Sequence, residues 1–191
     1  MEKAELFNAI KECLKNNKIH QKKLYVAYYG FAYGIALRYA GSREEASIIM
    51  NKGFYNAFVG LSGYDKTIEF KEWLKFLILH AAFEYLFRGK EHPAMLRESE
   101  ISDHNPCQNN LETGLSYDDL IKMLHQLPSR NRAVFNLFAI EGYEHEKIAG
   151  MLNISISSSK LLLTQARENL DKYIYFRSNT CGPGIEHSSI H

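Results

Sequence analysis

Apolar residues recur at helical spacing along most of this chain, interrupted by clusters of Gly, Pro, Ser and Asn. Ala46, Ile49, Met50, Gly53, Phe54, Ala57, Phe58 and Leu61 follow at steps of three and four, which predicts a helix with a broad buried face. Phe70, Trp73, Leu74, Leu77, Ala81, Tyr85 and Leu86 make a second stripe, read mostly as packing. Gly41-Ser42 ahead of Arg43-Glu44-Glu45 supplies a stop, a cap and an acidic first turn. Leu6, Ala9, Ile10 and Leu14 predict a short helix within residues 2–16. Residues 116–126 resume the period, with Ser116 as cap and Leu120, Ile121 and Leu124 apolar. These periods predict an all-α chain.

Residues 127–170 carry the most specific pattern. Leu127-Pro128 opens a helix, with Pro128 suited to the first helical position, where its missing N–H is harmless. Val134, Leu137, Phe138 and Glu141 follow at helical spacing, and Gly142 is a natural stop. A second helix is predicted from about Glu144 to Leu152, with Ile148, Met151 and Leu152 on its apolar face and small Ala149 permitting close contact. Asn153 stands where a turn needs positive φ, Ile154 plugs the core, and Ser155 caps a third helix. Short helix, tight turn and longer helix form a helix-turn-helix, whose last helix enters the DNA major groove. Ser155, Ser157, Ser158, Lys160, Thr164 and Arg167 are then the candidate DNA contacts, because hydroxyls and cations at a helix start reach phosphates and base edges. The plainer alternative is a three-helix bundle with ordinary caps and solvated charges.

These residues resemble the promoter −35-reading domain of bacterial RNA polymerase sigma factors of the extracytoplasmic-function (ECF) group. The shared pieces are Leu127-Pro128, basic Arg130 and Arg132, apolar Val134–Ile140, Glu141-Gly142, Glu146-Lys147-Ile148-Ala149 and Ile154-Ser155, at matching spacing. Residues 24–61 resemble the helical pair of sigma region 2 that docks on the polymerase clamp, and 70–90 the helix that reads and opens the −10 element. The resemblance implies two small helical domains, at 20–90 and 116–176. A flexible linker over 91–115 joins them, an N-terminal helical extension covers 1–19, and a disordered tail covers 177–191. It implies polymerase contacts at Glu44, Glu45, Ile48, Asn51, Lys52 and Tyr55. It implies −10 contacts at Tyr64, Asp65, Lys71, Trp73, Lys75, His80 and Arg88. In the loop 62–69, Tyr64 would stack on an extruded base and Asp65 accept from its amino groups, since a pocket must recover the few kcal/mol of unstacking. A plain helix connector accounts equally well for any single residue of that loop.

Three differences separate the chain from the family pattern. The docking helix carries Ser47, Ile48, Asn51 and Lys52 where acidic residues and a Gln-Glu pair are usual. Phe76, Leu79 and His80 stand where the −10 helix is usually rich in Arg and has an Asn. Leu162 and Gln165 stand where the reading helix often has Arg, within an apolar run Leu161-Leu162-Leu163. They define a rival reading, a sigma-like interaction module that binds an anti-sigma factor or another protein without supporting transcription.

Composition narrows the partners. A net charge of +1 over 191 residues is low for a DNA binder, so phosphate binding falls to local clusters or to a partner such as core RNA polymerase. Hydrophobic content of 46% is ample for two cores, and no apolar run reaches membrane-spanning length, so the chain is expected in the cytoplasm. Cys13, Cys107 and Cys181 form no CxxC and are expected as free thiols. No HExxH, Cys/His cluster, P-loop, GxGxxG or GxSxG occurs, so neither enzyme chemistry, metal nor cofactor is expected. The expected partners are core polymerase, promoter DNA and an anti-sigma factor.

Overall fold

The computed structural model describes residues 2–87 and 116–180, with side chains to residue 176. Arg88, the expected linker 91–115, Cys107, Cys181 and the tail beyond residue 180 lie outside the described residues. The chain divides into two compact units, Met1–Leu120 and Ile121–His191. Every regular element among the described residues is helical.

In the first unit, α1 (Lys3–Cys13) packs on α2 (Lys18–Tyr39), and α2, α3 (Arg43–Gly60) and α4 (Phe70–Phe87) pack on one another. Their shared core contains Leu24, Ala32, Ile49, Met50, Leu74, Ile78 and Leu79, all at most 1% exposed. Each of these Leu, Ile and Met side chains contributes about 1.5–3 kcal/mol when fully buried. Ser42 caps α3 by accepting from the Glu45 N–H at 3.2 Å, and the Glu45 carboxylate accepts from the Gly41 N–H at 2.7 Å. Two free N–H groups at the helix entry are thereby satisfied.

The α3 stripe is as expected: Ala46, Ile49, Met50, Gly53, Phe54 and Ala57 are buried. The α4 stripe is shifted. Ile78, Leu79 and Ala82 are buried beside Phe70, Leu74, Ala81 and Leu86, while Tyr85 faces out. The cause is that α4 meets both α2 and α3, so its buried face is wider than one stripe. On α1 the buried residues are Ala9, Ile10 and Cys13, and Leu14, the residue after the helix, is exposed rather than on the buried face. Asn16, at φ 60, turns the chain into α2.

The second unit holds α6 (Ser129–Phe135), a π-helical turn (Asn136–Ile140), α7 (His145–Leu152) and α8 (Ile156–Thr180). α5 (Tyr117–His125) leads into it, capped by Ser116, which accepts from the Asp119 N–H at 3.2 Å. Pro128 is not the first helical residue as expected; its ψ of 144° keeps it extended, and it precedes α6 as the cap. The helix expected to run unbroken to Glu141 widens instead at Asn136, where the Glu141 N–H reaches back five residues to the Asn136 carbonyl at 2.9 Å. α8 runs to Thr180, past the boundary expected at 176.

Candidate nucleic-acid interface

The α7–turn–α8 unit is built from local rules. Gly142, at φ 74, and Asn153, at φ 51, occupy the left-handed region that Gly and Asn tolerate best. Asn153 ends α7 with its N–H on the Ala149 carbonyl. Ser155 then accepts from the Ser158 N–H at 3.0 Å, the N-cap bond that starts α8.

α8 packs on α6 and α7 through Ser159, Leu163, Ala166 and Leu170, spaced at four, three and four. Asn131, only 6% exposed, ties α6 to α8. Its amide donates to the Leu162 carbonyl and to the Gln165 side-chain oxygen, both at 3.2 Å. Arg132, expected as part of a basic stretch, is buried and donates to the His125 and Leu127 carbonyls at 3.4 Å. It therefore closes the α5–α6 corner and is withdrawn from any ligand.

The opposite face of α8 is open. Ser157, Lys160, Leu161 and Thr164 are exposed at helical spacing, beside the capped N-terminus. The Ser155 hydroxyl lies 2.9 Å from that of Ser157 and 2.8 Å from that of Ser158, so three hydroxyls cluster at the helix start. The Thr164 hydroxyl donates to the Lys160 carbonyl at 3.1 Å, and its oxygen can still accept a further bond. The apolar run separates by position: Leu163 is buried, Leu162 is half-buried, and Leu161 is 58% exposed in the middle of the open face. Sequence reasoning left Leu161 out of the site, although its position four residues after Ser157 places both on one side of a helix.

Arg167 stands on the flank of this face. Its guanidinium carbon lies 5.7 Å from the centroid of the Phe138 ring. The same ring stacks on His145 at 4.8 Å and 23°, and His145 Nδ1 lies 2.9 Å from the Ser159 hydroxyl.

In the first unit the candidate −10 residues form one cluster and several outliers. Tyr64 packs on Trp73 at 4.9 Å and on Phe70 at 5.6 Å, and its hydroxyl donates to the Ile68 carbonyl at 2.6 Å. Burial pushes the Tyr64 phenol up, with Asp65 and Glu69 adding to the effect. Asp65 is exposed and accepts from the Thr67 N–H at 2.9 Å, a bond that holds its carboxyl below the usual range. Lys71 lies over the Phe31 ring at 5.7 Å, and Lys75 pairs with Glu72 at 2.8 Å. His80 and Phe76 are exposed, whereas Leu79 is fully buried and is part of the core.

The candidate docking residues lie along one side of α3. Ile48 and Tyr55 are exposed, as is Val59, and Asn51 accepts from the Tyr25 hydroxyl at 3.1 Å. Glu44 is exposed, and its own backbone N–H followed by Ser42 holds its carboxyl below the usual range. Glu45 is committed to the cap, and Lys52 lies 5.4 Å from the Tyr55 ring and 4.0 Å from Glu84. No cluster of His, Cys, Asp or Glu suited to a metal occurs among the described residues, and no described helix is long and apolar enough to cross a membrane.

The helix-turn-helix geometry coincides with a family match: residues 117–170 match the family described as sigma-70, region 4. Over 160 residues the chain is 22% identical to the RNA polymerase sigma-H factor of Pseudomonas aeruginosa, covering 78% of this chain and 83% of that protein. Two solved structures are also similar. One is CnrH in complex with the cytosolic domain of CnrY, at 20% identity and a TM-score of 0.45, covering 87% of this chain and 94% of that one. The other is the sigma factor RpoE of Bartonella quintana in complex with the anti-sigma factor NepR, at 14% identity and a TM-score of 0.49, covering 81% and 96%. Within the matched residues, α7 and α8 form the helix-turn-helix, and α8 is its second helix.

Proposed function

We propose that this protein is a sigma factor of the ECF group, which binds core RNA polymerase in the cytoplasm and directs initiation at promoters through −10 and −35 recognition. The observation that carries the reading is the open face of α8. Within a region 4 domain it presents Ser157, Lys160, Leu161 and Thr164 together at a capped helix N-terminus. Hydroxyls and a cation suit phosphates and base edges, and an exposed Leu suits a thymine methyl. The domain at 116–176 reads the −35 element, and the domain at 20–90 docks on polymerase along α3 and captures the −10 strand beside Tyr64 and Trp73. Tyr64 is committed to its neighbours here, so base capture requires that its ring swing away from Trp73. The protein performs no bond chemistry; it positions the polymerase.

A second reading is favoured by the exposed apolar side chains of α3, Ile48 at 52%, Tyr55 at 61% and Val59 at 66%. They suit a protein partner, and the interaction-module alternative uses the same face without transcription. Run-off transcription separates the two. Core polymerase with this protein starts at a defined site on DNA selected from a random pool by the complex. Initiation no different from core alone leaves the second reading.

A further inference from the structure

We propose that Phe138 is a positioning residue for DNA binding, which holds the Arg167 guanidinium ready on the flank of α8. The inference rests on the assignment of α8 as the reading helix. Phe138 lies within the π-helical turn Asn136–Ile140. Such a turn holds one residue more than an α turn, so its side chains leave the 3.6-residue stripe; π turns are often found at functional sites. Phe138 is half-buried rather than in the core, and its ring meets two partners on two other elements, His145 of α7 and Arg167 of α8. His145 is in turn fixed by the Ser159 hydroxyl, which is fully buried.

An unbroken series thus runs from the packed side of α8 to its open flank: Ser159, His145, Phe138, Arg167. A free Arg side chain surrenders much rotamer freedom when it binds a phosphate. One already held over an aromatic ring surrenders less, and a cation–π contact uses none of the guanidinium's N–H donors, which remain for a second partner. Of the two candidate DNA-binding cations on α8, Arg167 has this support, whereas Lys160 extends from the open face. Phe138 touches no DNA in this scheme; it acts through Arg167.

The test uses the full chain bound to core polymerase and a DNA duplex selected from a random-sequence pool. F138L removes the ring and keeps the apolar bulk, F138Y keeps the ring, and R167A removes the cation. The expected result is an affinity loss of about two- to fivefold for F138L, in line with a single cation–π contact. The salt dependence also flattens toward that of R167A, F138Y is close to wild type, and F138L adds nothing in the R167A background. Additive losses for F138L and R167A overturn the inference and leave the reading helix in place. A second measurement needs neither DNA nor a variant: the Arg167 side-chain proton resonances of the free wild-type protein, shifted upfield by the Phe138 ring current. Unshifted resonances overturn the inference whatever the DNA result. Shifted resonances in a protein whose polymerase complex selects no DNA uphold the Phe138–Arg167 contact and overturn the sigma-factor reading instead.

Discussion

A β-carbon added at Gly53 on α3 would collide with the side chain of Ile78 on α4 and stand 3.1 Å from the Ile78 Cα. The two helices are therefore in near-backbone contact at this point, and only glycine fits. Gly53→Ala gains up to about 1 kcal/mol of helix propensity but forces overpacking that costs about 1–3 kcal/mol. We expect a net loss, read as a lower Tm, partly restored by adding Ile78→Val, which removes the closest methyl. A Tm for Gly53→Ala at or above wild type would contradict the close approach.

Asn153 has φ 51 and closes the helix-turn-helix corner. Asn153→Gly should hold stability within a few tenths of a kcal/mol, and Asn153→Ala should lose about 1 kcal/mol, because alanine keeps the β-carbon but lacks the short polar side chain that eases the left-handed conformation. Chemical denaturation of the two variants side by side decides it. Equal midpoints would mean that the corner is not left-handed.

Asn131 bridges α6 to α8 by two hydrogen bonds. Asn131→Ala should destabilise the second unit by about 1–3 kcal/mol, because buried polar groups lose a partner. Gln165→Ala removes one of the two acceptors from an exposed side chain and should cost less. The order of the two unfolding midpoints is the readout.

Asp65 offers a pH prediction. Its folded carboxyl titrates below the usual aspartate range because the ionised form accepts the Thr67 N–H. A depressed folded pKa means that the contribution is present above the unfolded value and is lost as pH falls through the folded one. The Thr67 amide resonance should therefore titrate at a pH below that of a free aspartate, and Asp65→Asn should abolish that step. A midpoint at or above the ordinary value would remove the turn bond.

Lys160→Ala combined with Arg167→Ala should weaken binding of selected DNA by the polymerase complex. Each lost phosphate contact should lower the slope of log affinity against log salt by about 0.9. An unchanged slope would show that α8 does not carry the phosphate contacts.

Features governed by neighbouring residues are legible in the sequence. Asn153, Gly142, Ser155, Ser116 and the Ser42 cap obey φ preferences and capping geometry that act within four residues, and each is found in its expected role. Pro128 and Asn136 show where local rules stop. A proline serves as cap or first residue according to ψ, and a helical period does not reveal where one turn widens to hold an extra residue. What depends on the meeting of distant elements is not legible there. Arg132 looks like a surface cation until α5 and α6 fold around it, and Tyr64 looks free until Phe70 and Trp73 close on it. The Leu161–Leu163 run divides into outward, intermediate and buried positions only once α6 and α7 define which side of α8 is covered.

The most direct test of the sigma-factor reading is a tagged pulldown of this protein from its own host, read by mass spectrometry. The large core RNA polymerase subunits should be recovered in stoichiometric amounts, and Tyr55→Ala with Ile48→Ala on α3 should deplete them. Recovery of a single other partner, with no polymerase, would contradict the account.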